Sequence, residues 1–274
     1  MSLTSVAPHR EIGAANFVRN AGFVGLAAIA IAVGLSDVLA RAPAGAANIG
    51  PALLAPSSRF LLGTDVLGRD VASETLHALA VTTTSAAIGA LVTVVFGGLA
   101  GFLSARLPPV LGSAMRLVMG TLCAVPALFL GVLLTGLAGR SLAGLAAGLA
   151  VAPFLFARSF DRAQRLNRTG YADAARTTGI SAAALIRRDL VYEFRDVFIV
   201  DITRALAEVA TILSTVSFLG FGAIPPHRDL GLMIGAARDT FFDAWWTAVF
   251  PALALILLIL FARLVSASAE ASRP

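Results

Sequence analysis

Residues 171–193 read YADAARTTGISAAALIRRDLVYE, the only long polar segment in a very apolar chain. The pattern predicts two short helices broken at Gly179, facing the cytosol, with hydrophobic spans on both sides. Its core is Asp173-Ala174-Ala175 followed by Gly179. Small side chains let a partner approach closely, and glycine lets the chain turn where a side chain would collide. An ordinary loop helix with a glycine at its C-cap has the same spacing, so the spacing alone leaves both readings open.

Composition places the chain in a bilayer. It has 274 residues, 58% of them hydrophobic, with a mean hydropathy of +0.85. A soluble domain this apolar would lack the polar surface to cover itself. The charged fraction is 14%, against about 25% in soluble domains. All 21 basic residues are arginine, and they sit mainly in loops flanking apolar runs, so the net charge of +5 does not point to nucleic acid. A single cysteine, Cys123, excludes an intrachain disulfide. The first apolar run reads as a retained span, since more such runs follow it.

The reading along the chain is as follows. Residues 1–20 form a polar arm, 21–40 a first span, and 41–75 an outer loop rich in Pro, Gly and Ser. Residues 76–268 hold five more spans and the polar loop 158–195, and 269–274 form a tail. The spans are expected near 77–106, 117–137 with a kink at Pro126, 142–156 extending to Arg158, 196–222 and 247–265. Eight of the 21 arginines lie between Arg158 and Arg195, so the positive-inside rule places that loop, and with it both termini, in the cytosol. Fourteen arginines then fall inside and six outside.

The outer loop ends Leu62-Gly63-Thr64-Asp65-Val66-Leu67-Gly68-Arg69-Asp70. Its glycines permit tight turns, its aspartates accept from free amides at a turn or helix start, and Arg69 can pair with Asp65 if the stretch is helical. In the 196–222 span, Asp201, Arg204 and Glu208 share one helical face. Charges at that depth face protein or water, so Glu208 either lines a pathway or serves a structural pairing with Arg204. Trp245 and Trp246 suit interfacial anchors. There is no GxxxxGK[ST] loop, no HExxH and no GxSxG, and His9, His77 and His227 are too scattered for a metal site.

Three groups of residues carry a resemblance. Asp173-Ala174-Ala175 and Gly179, followed by Asp189-Leu190-Val191, resemble the EAA loop of ABC importer permeases, with Tyr192 where that pattern has Pro. Gly63, Thr64, Asp65, Gly68, Arg69 and Asp70 are similar to the GTDxxGRD signature of the dipeptide, oligopeptide and nickel permeases. Residues 217–222 (SFLGFG), Pro225-Pro226, Asp229-Leu230-Gly231 and Ala244-Trp245-Trp246 resemble the series towards the last span, with Phe221 for the usual Leu and Leu230 for the usual Trp. The family's Gly-Asp ending is replaced by Ser266-Ala267-Ser268-Ala269.

The resemblance covers about Leu61 to Pro274 and implies an all-α integral membrane protein with six transmembrane helices in the type I ABC importer permease fold. It further implies a multi-pass subunit of the bacterial inner membrane, without catalysis, metal or cofactor of its own. Its partners would be a homologous second permease forming a heterodimer, two ATPase subunits carrying ATP and Mg, and an extracytoplasmic substrate-binding protein. Asp173, Ala174, Ala175, Gly179, Leu190 and Val191 would couple to the ATPases. Short peptides are the expected substrate, with nickel, metal chelates or another small solute as alternatives. The rival of another class is an ion-coupled secondary transporter using Glu208, although such folds often show two similar halves and no internal repeat is visible.

Overall fold

The computed structural model describes residues 8–47, 50–167, 182–223 and 227–271. Among these, the chain is helical, and the sole β feature is an isolated bridge between Thr64 and Asp70. The helices are α1 (Pro8–Gly34), α2 (Ser36–Leu39), α3 (Val71–Val92), α4 (Ala100–Ser104), α5 (Pro109–Cys123), α6 (Ala127–Ala138), α7 (Ala143–Asn167), α8 (Ala182–Val216), α9 (Leu230–Ala236) and α10 (Trp246–Ala271). A π-helical turn, Thr93–Leu99, joins α3 to α4 without a break, and a second, Ser217–Phe221, continues α8.

Five of these stretches are long and apolar enough to cross a membrane: Phe17–Gly34, Val71–Ser104, Arg140–Arg165, Phe198–Phe221 and Trp246–Ala267. The sixth crossing is α5 with α6, a pair bent by 95°. The expected kink at Pro126 is therefore a full break. The helix ends on short-range bonds, Ala124 N to Thr121 O (3.1 Å) and Val125 N to Leu122 O (3.1 Å). Pro126, extended at ψ 129°, restarts it by offering its carbonyl to the Phe129 amide (2.9 Å). A proline has no N–H to continue the first ladder and pushes its predecessor out of helical geometry.

Other boundaries also move. The second span starts at Val71 rather than near His77, because the Asp70 carboxylate caps it, accepting from the Ser73 amide (3.2 Å) and hydroxyl (2.6 Å). The fourth runs on past Arg158 to Asn167. The fifth begins at Ala182, so residues 182–193 are the first turns of α8 and not a separate short helix. The cause is local: no Gly or Pro occurs between Ala182 and Val216, and Tyr192 stands where a proline would have ended the helix. Gly179 lies outside the described residues.

The centre of the bundle is made of small side chains. Ala86 of α3, Ala143, Ala147 and Val151 of α7, Val209, Ala210 and Leu213 of α8 and Leu258 of α10 form the main buried cluster. Helices α3 and α7 touch backbone to backbone: a side chain at Gly144 would run into the Ser85 carbonyl at 2.5 Å, and one at Gly148 or Gly89 into the facing helix. Thr93 crosses this seam, its hydroxyl donating to the Gly148 carbonyl (2.8 Å). In lipid, helices gain little by hiding apolar surface from one another, so this closeness is what holds them. Helix α1 packs on α10, where Gly22 and Gly25 accommodate Val265 and Phe261.

The chain alternates between two ends. At one, Asp65 meets Arg228 (3.3 Å) and Arg140 reaches the Gly222 carbonyl (2.9 Å). At the other, Arg116 pairs with Asp161 (2.9 Å) and Arg162 with Asp201 (2.8 Å). Asn167 and Ala182, which flank residues 168–181, belong to this second end.

The seam yields a prediction. Gly144→Val should destabilise the fold by about 2 kcal/mol through overpacking. Gly120→Val and Gly136→Val, whose sites have nothing within 4 Å, should be near neutral. Reversible unfolding in mixed micelles measures the difference, and equal effects at all three sites would contradict the close approach.

Candidate functional site

Two groups of polar residues stand out, one at each end. The first is the segment Gly63–Asp70. It is not helical: Gly63 and Gly68 take positive φ (78° and 64°) and the chain between them forms a tight turn. Asp65 organises that turn. Its Oδ1 accepts from the amides of Leu67 (2.8 Å) and Arg69 (2.9 Å), and its Oδ2 meets Arg228. The expected pairing of Asp65 with Arg69 is therefore corrected; in the absence of helix, Arg69 turns to Glu74 (3.7 Å). Glu74 also accepts from the Gly45 amide (2.7 Å), which ties the start of the loop to α3.

Thr64 is completely buried. Its hydroxyl donates to the Pro51 carbonyl (2.6 Å) and accepts from the Leu54 amide (2.8 Å). Its own carbonyl accepts from Trp246 Nε1 (3.1 Å). Trp246 is thus no interfacial anchor: it is buried, 6% exposed, and latches the first residues of α10 onto the motif. Trp245, half-exposed beside it, keeps the role of a surface aromatic. Gly63 is obligatory here, since a Cβ would sit 2.6 Å from both the Leu54 carbonyl oxygen and Trp246 Nε1.

The SFLGFG stretch completes this end. Gly220 has φ 94°, which turns the chain out of α8. Asp229 then caps α9, with Oδ1 taking the Leu232 amide (2.9 Å) and Oδ2 the Ala223 amide (2.8 Å). Helix α9 folds back into the bundle, where the Leu230 amide donates to Thr82 Oγ1 (2.9 Å). Leu230, in the position where the family has Trp, is fully buried with Ala78, Leu79 and Met233.

The second group surrounds Glu208. A cavity of about 510 Å³ opens between α6, α7, α8 and α10. Glu208 lies on its wall with Arg158 of α7 (3.6 Å) and Arg263 of α10 (3.7 Å). The ion pairing of Glu208 therefore crosses helices, linking three spans, and Arg204 on its own helix makes contacts of its own. Asp201, two turns earlier on the same helix, is held by Arg162. Neither Arg158 nor Arg263 was marked by sequence spacing, because each is far from Glu208 along the chain; the signal available was only an arginine inside an apolar run.

Of the coupling residues, Asp173, Ala174, Ala175 and Gly179 lie outside the described residues. Leu190 and Val191 belong to the first turns of α8, and Val191 is exposed. Among the described residues, no three His, Cys, Asp or Glu side chains are placed to share a metal ion.

The latch is testable. Trp246→Phe keeps the ring and removes the one donor to a buried carbonyl, which should cost about 1–3 kcal/mol. Limited proteolysis across residues 41–70 should speed up by at least fivefold, whereas Trp245→Phe should leave it unchanged.

Comparison with known proteins agrees with this architecture. Residues 93–270 match the family described as binding-protein-dependent transport system inner membrane component. The chain is 31% identical over 210 residues to the di/tripeptide transport system permease protein of Pseudomonas aeruginosa, covering 74% of this chain and 68% of that one. It is 30% identical over 208 residues to a peptide transport system permease protein of Escherichia coli O6:H1, covering 75% and 70%. It is 27% identical over 203 residues to the dipeptide transport system permease protein of Haemophilus influenzae, covering 73% and 69%. The match spans more than half of the chain, and the motif residues that set its turns and caps are in place: this protein belongs to the binding-protein-dependent transport system inner membrane component family, as a multi-pass permease subunit of an ABC importer.

Proposed function

We propose that this chain forms half of the translocation pathway of an importer of short peptides and is moved by separate ATPase subunits. The observation that carries the reading is the family match over residues 93–270, together with peptide permeases among its relatives. On this reading the chain performs no catalysis. ATP and Mg belong to two ATPase partners, a second homologous permease completes the pathway, and a substrate-binding protein delivers from the outer side.

Orientation follows from the arginines. The end with Arg116, Arg162 and the 158–195 stretch holds most of the positive charge, so it faces the cytosol and both termini do too. The Gly63–Asp70 turn then faces outwards. It is a braced platform, and a binding protein needs a rigid surface on which to deposit its cargo.

The coupling handle is Asp173, Ala174, Ala175 and Gly179, with Leu190 and Val191 beyond it. Because α8 starts at Ala182 and runs unbroken to Val216, a push near Gly179 travels along one rigid rod. That rod carries Asp201 and Glu208, so movement at the cytosolic end would rock the span against α7 and α10. The ion-coupled alternative is less favoured, since Glu208 is already matched by two arginines.

Two measurements check the proposal. Peptide uptake into vesicles by the assembled complex should require ATP and persist when the proton gradient is collapsed; uptake by this chain alone, driven by protons, would refute it. Gly179→Asp and Ala175→Trp should each reduce ATPase co-purification at least tenfold with membrane insertion intact. Unchanged co-purification and uptake in both would remove the handle from residues 173–179.

A further inference from the structure

The cavity between α6, α7, α8 and α10 holds an unbalanced group of charges at membrane depth. Glu208 is ten residues into the Phe198–Phe221 span, which puts it about 15 Å from the start of that span. Arg158 and Arg263 lie nearer the ends of theirs, within reach of the interface, yet both turn inwards to the same carboxylate. Charges there cannot face lipid and must face water or protein. Two guanidinium groups share one carboxylate, which leaves one positive charge in excess.

We infer that Arg158 and Arg263 form an anion-recognising pair in the translocation pathway, taking the C-terminal carboxylate of a passing short peptide while Glu208 holds them in place between turnovers. The inference rests on the peptide-importer reading above and names the chemistry its pathway selects.

Three observations support it. First, the contacts to Glu208, at 3.6 and 3.7 Å, are ion pairs longer than a hydrogen bond. A guanidinium presents several donors in a planar fork suited to a carboxylate, so each arginine keeps donors for a second acceptor. Second, both arginines are more than a third exposed in this chain, at 38% and 47%, against 24% for Glu208. Third, the remaining wall offers nothing that competes. Phe154 and Ile212 are apolar, and the Thr211 hydroxyl is committed to the Ala207 carbonyl (2.8 Å). The space of about 510 Å³ lies within the range of sites that enclose small molecules.

The exchange requires no bond chemistry. The incoming carboxylate replaces part of the Glu208 pairing and offsets the excess guanidinium charge, and movement of α8 relative to α7 and α10 separates the groups and releases the ligand. A ligand lacking the negative group gains nothing from the pair.

The test uses the assembled importer in proteoliposomes: this chain with its companion permease, ATPase subunits and binding protein. The probes are alanyl-alanine and alanyl-alanine amide, each saturating the binding protein, with loading measured separately. Arg158→Gln and Arg263→Gln should each lower ATP-driven uptake of the free acid about tenfold, the loss of one charge-assisted contact, and change uptake of the amide less than twofold. Arg158→Lys and Arg263→Lys should restore at least half of the lost uptake. Lysine preserves the charge towards Glu208 as well as towards the ligand, so the comparison of acid with amide decides between recognition and a clamp. Equal loss for both probes, or equal loss in Lys and Gln variants, would make the three residues a structural clamp and overturn the inference, as would uptake unchanged by every substitution. If the unaltered importer takes up neither probe with ATP, the peptide-importer reading fails and this inference falls with it.

Discussion

A chain that crosses hydrocarbon must satisfy its own backbone. No water is available there to receive an N–H or offer to a C=O, so helix is the only open conformation for a span of this kind. The consequences run through the whole molecule. Every candidate span among the described residues is helical; the π turn at Thr93–Leu99 widens the ladder instead of cutting it, whereas Gly220, at φ 94°, ends the ladder of α8. Threonines add to the same economy, with Thr203, Thr211 and Thr215 each returning a hydroxyl proton to a carbonyl one turn back. The single sharp break, at Pro126, comes where the restarting helix can offer the proline carbonyl to the next turn.

Charges face the same constraint in a stronger form. At the end that flanks residues 168–181, three carboxylates are met by arginines from other helices: Arg162 for Asp201, Arg116 for Asp161, Arg158 and Arg263 for Glu208. These pairs fasten spans together there. At the opposite end, hydrogen bonds to backbone carbonyls, as in Trp246 to Thr64 and Arg140 to Gly222, act beside the ion pairs of Asp65 with Arg228 and Arg69 with Glu74. One end is built as a braced platform, the other as a set of ionic contacts between long rods.

Departures from the family pattern act through local physics. Tyr192 in place of proline removes a helix stop, and residues 182–193 become continuous with the fifth span. Leu230 in place of tryptophan still fills a buried position, because the site at the head of α9 asks for apolar volume next to Ala78 and Met233. Replacement of the terminal Gly-Asp by Ser266-Ala267-Ser268-Ala269 lets α10 run on to Ala271.

Much of this was legible in the order of residues. Long apolar runs dictate spans, and the Gly and Asp positions of residues 63–70 dictate a capped turn, because each of these depends on a residue's immediate neighbours or on bulk transfer from water. The partners of Glu208, the burial of Trp246 and the 95° angle at Pro126 were not legible. A salt bridge between residues fifty positions apart, a tryptophan that seals a loop 182 residues away, and the angle between two half-spans all depend on which helices pack side by side, and that is settled only when the small faces of α3, α7 and α8 close on one another.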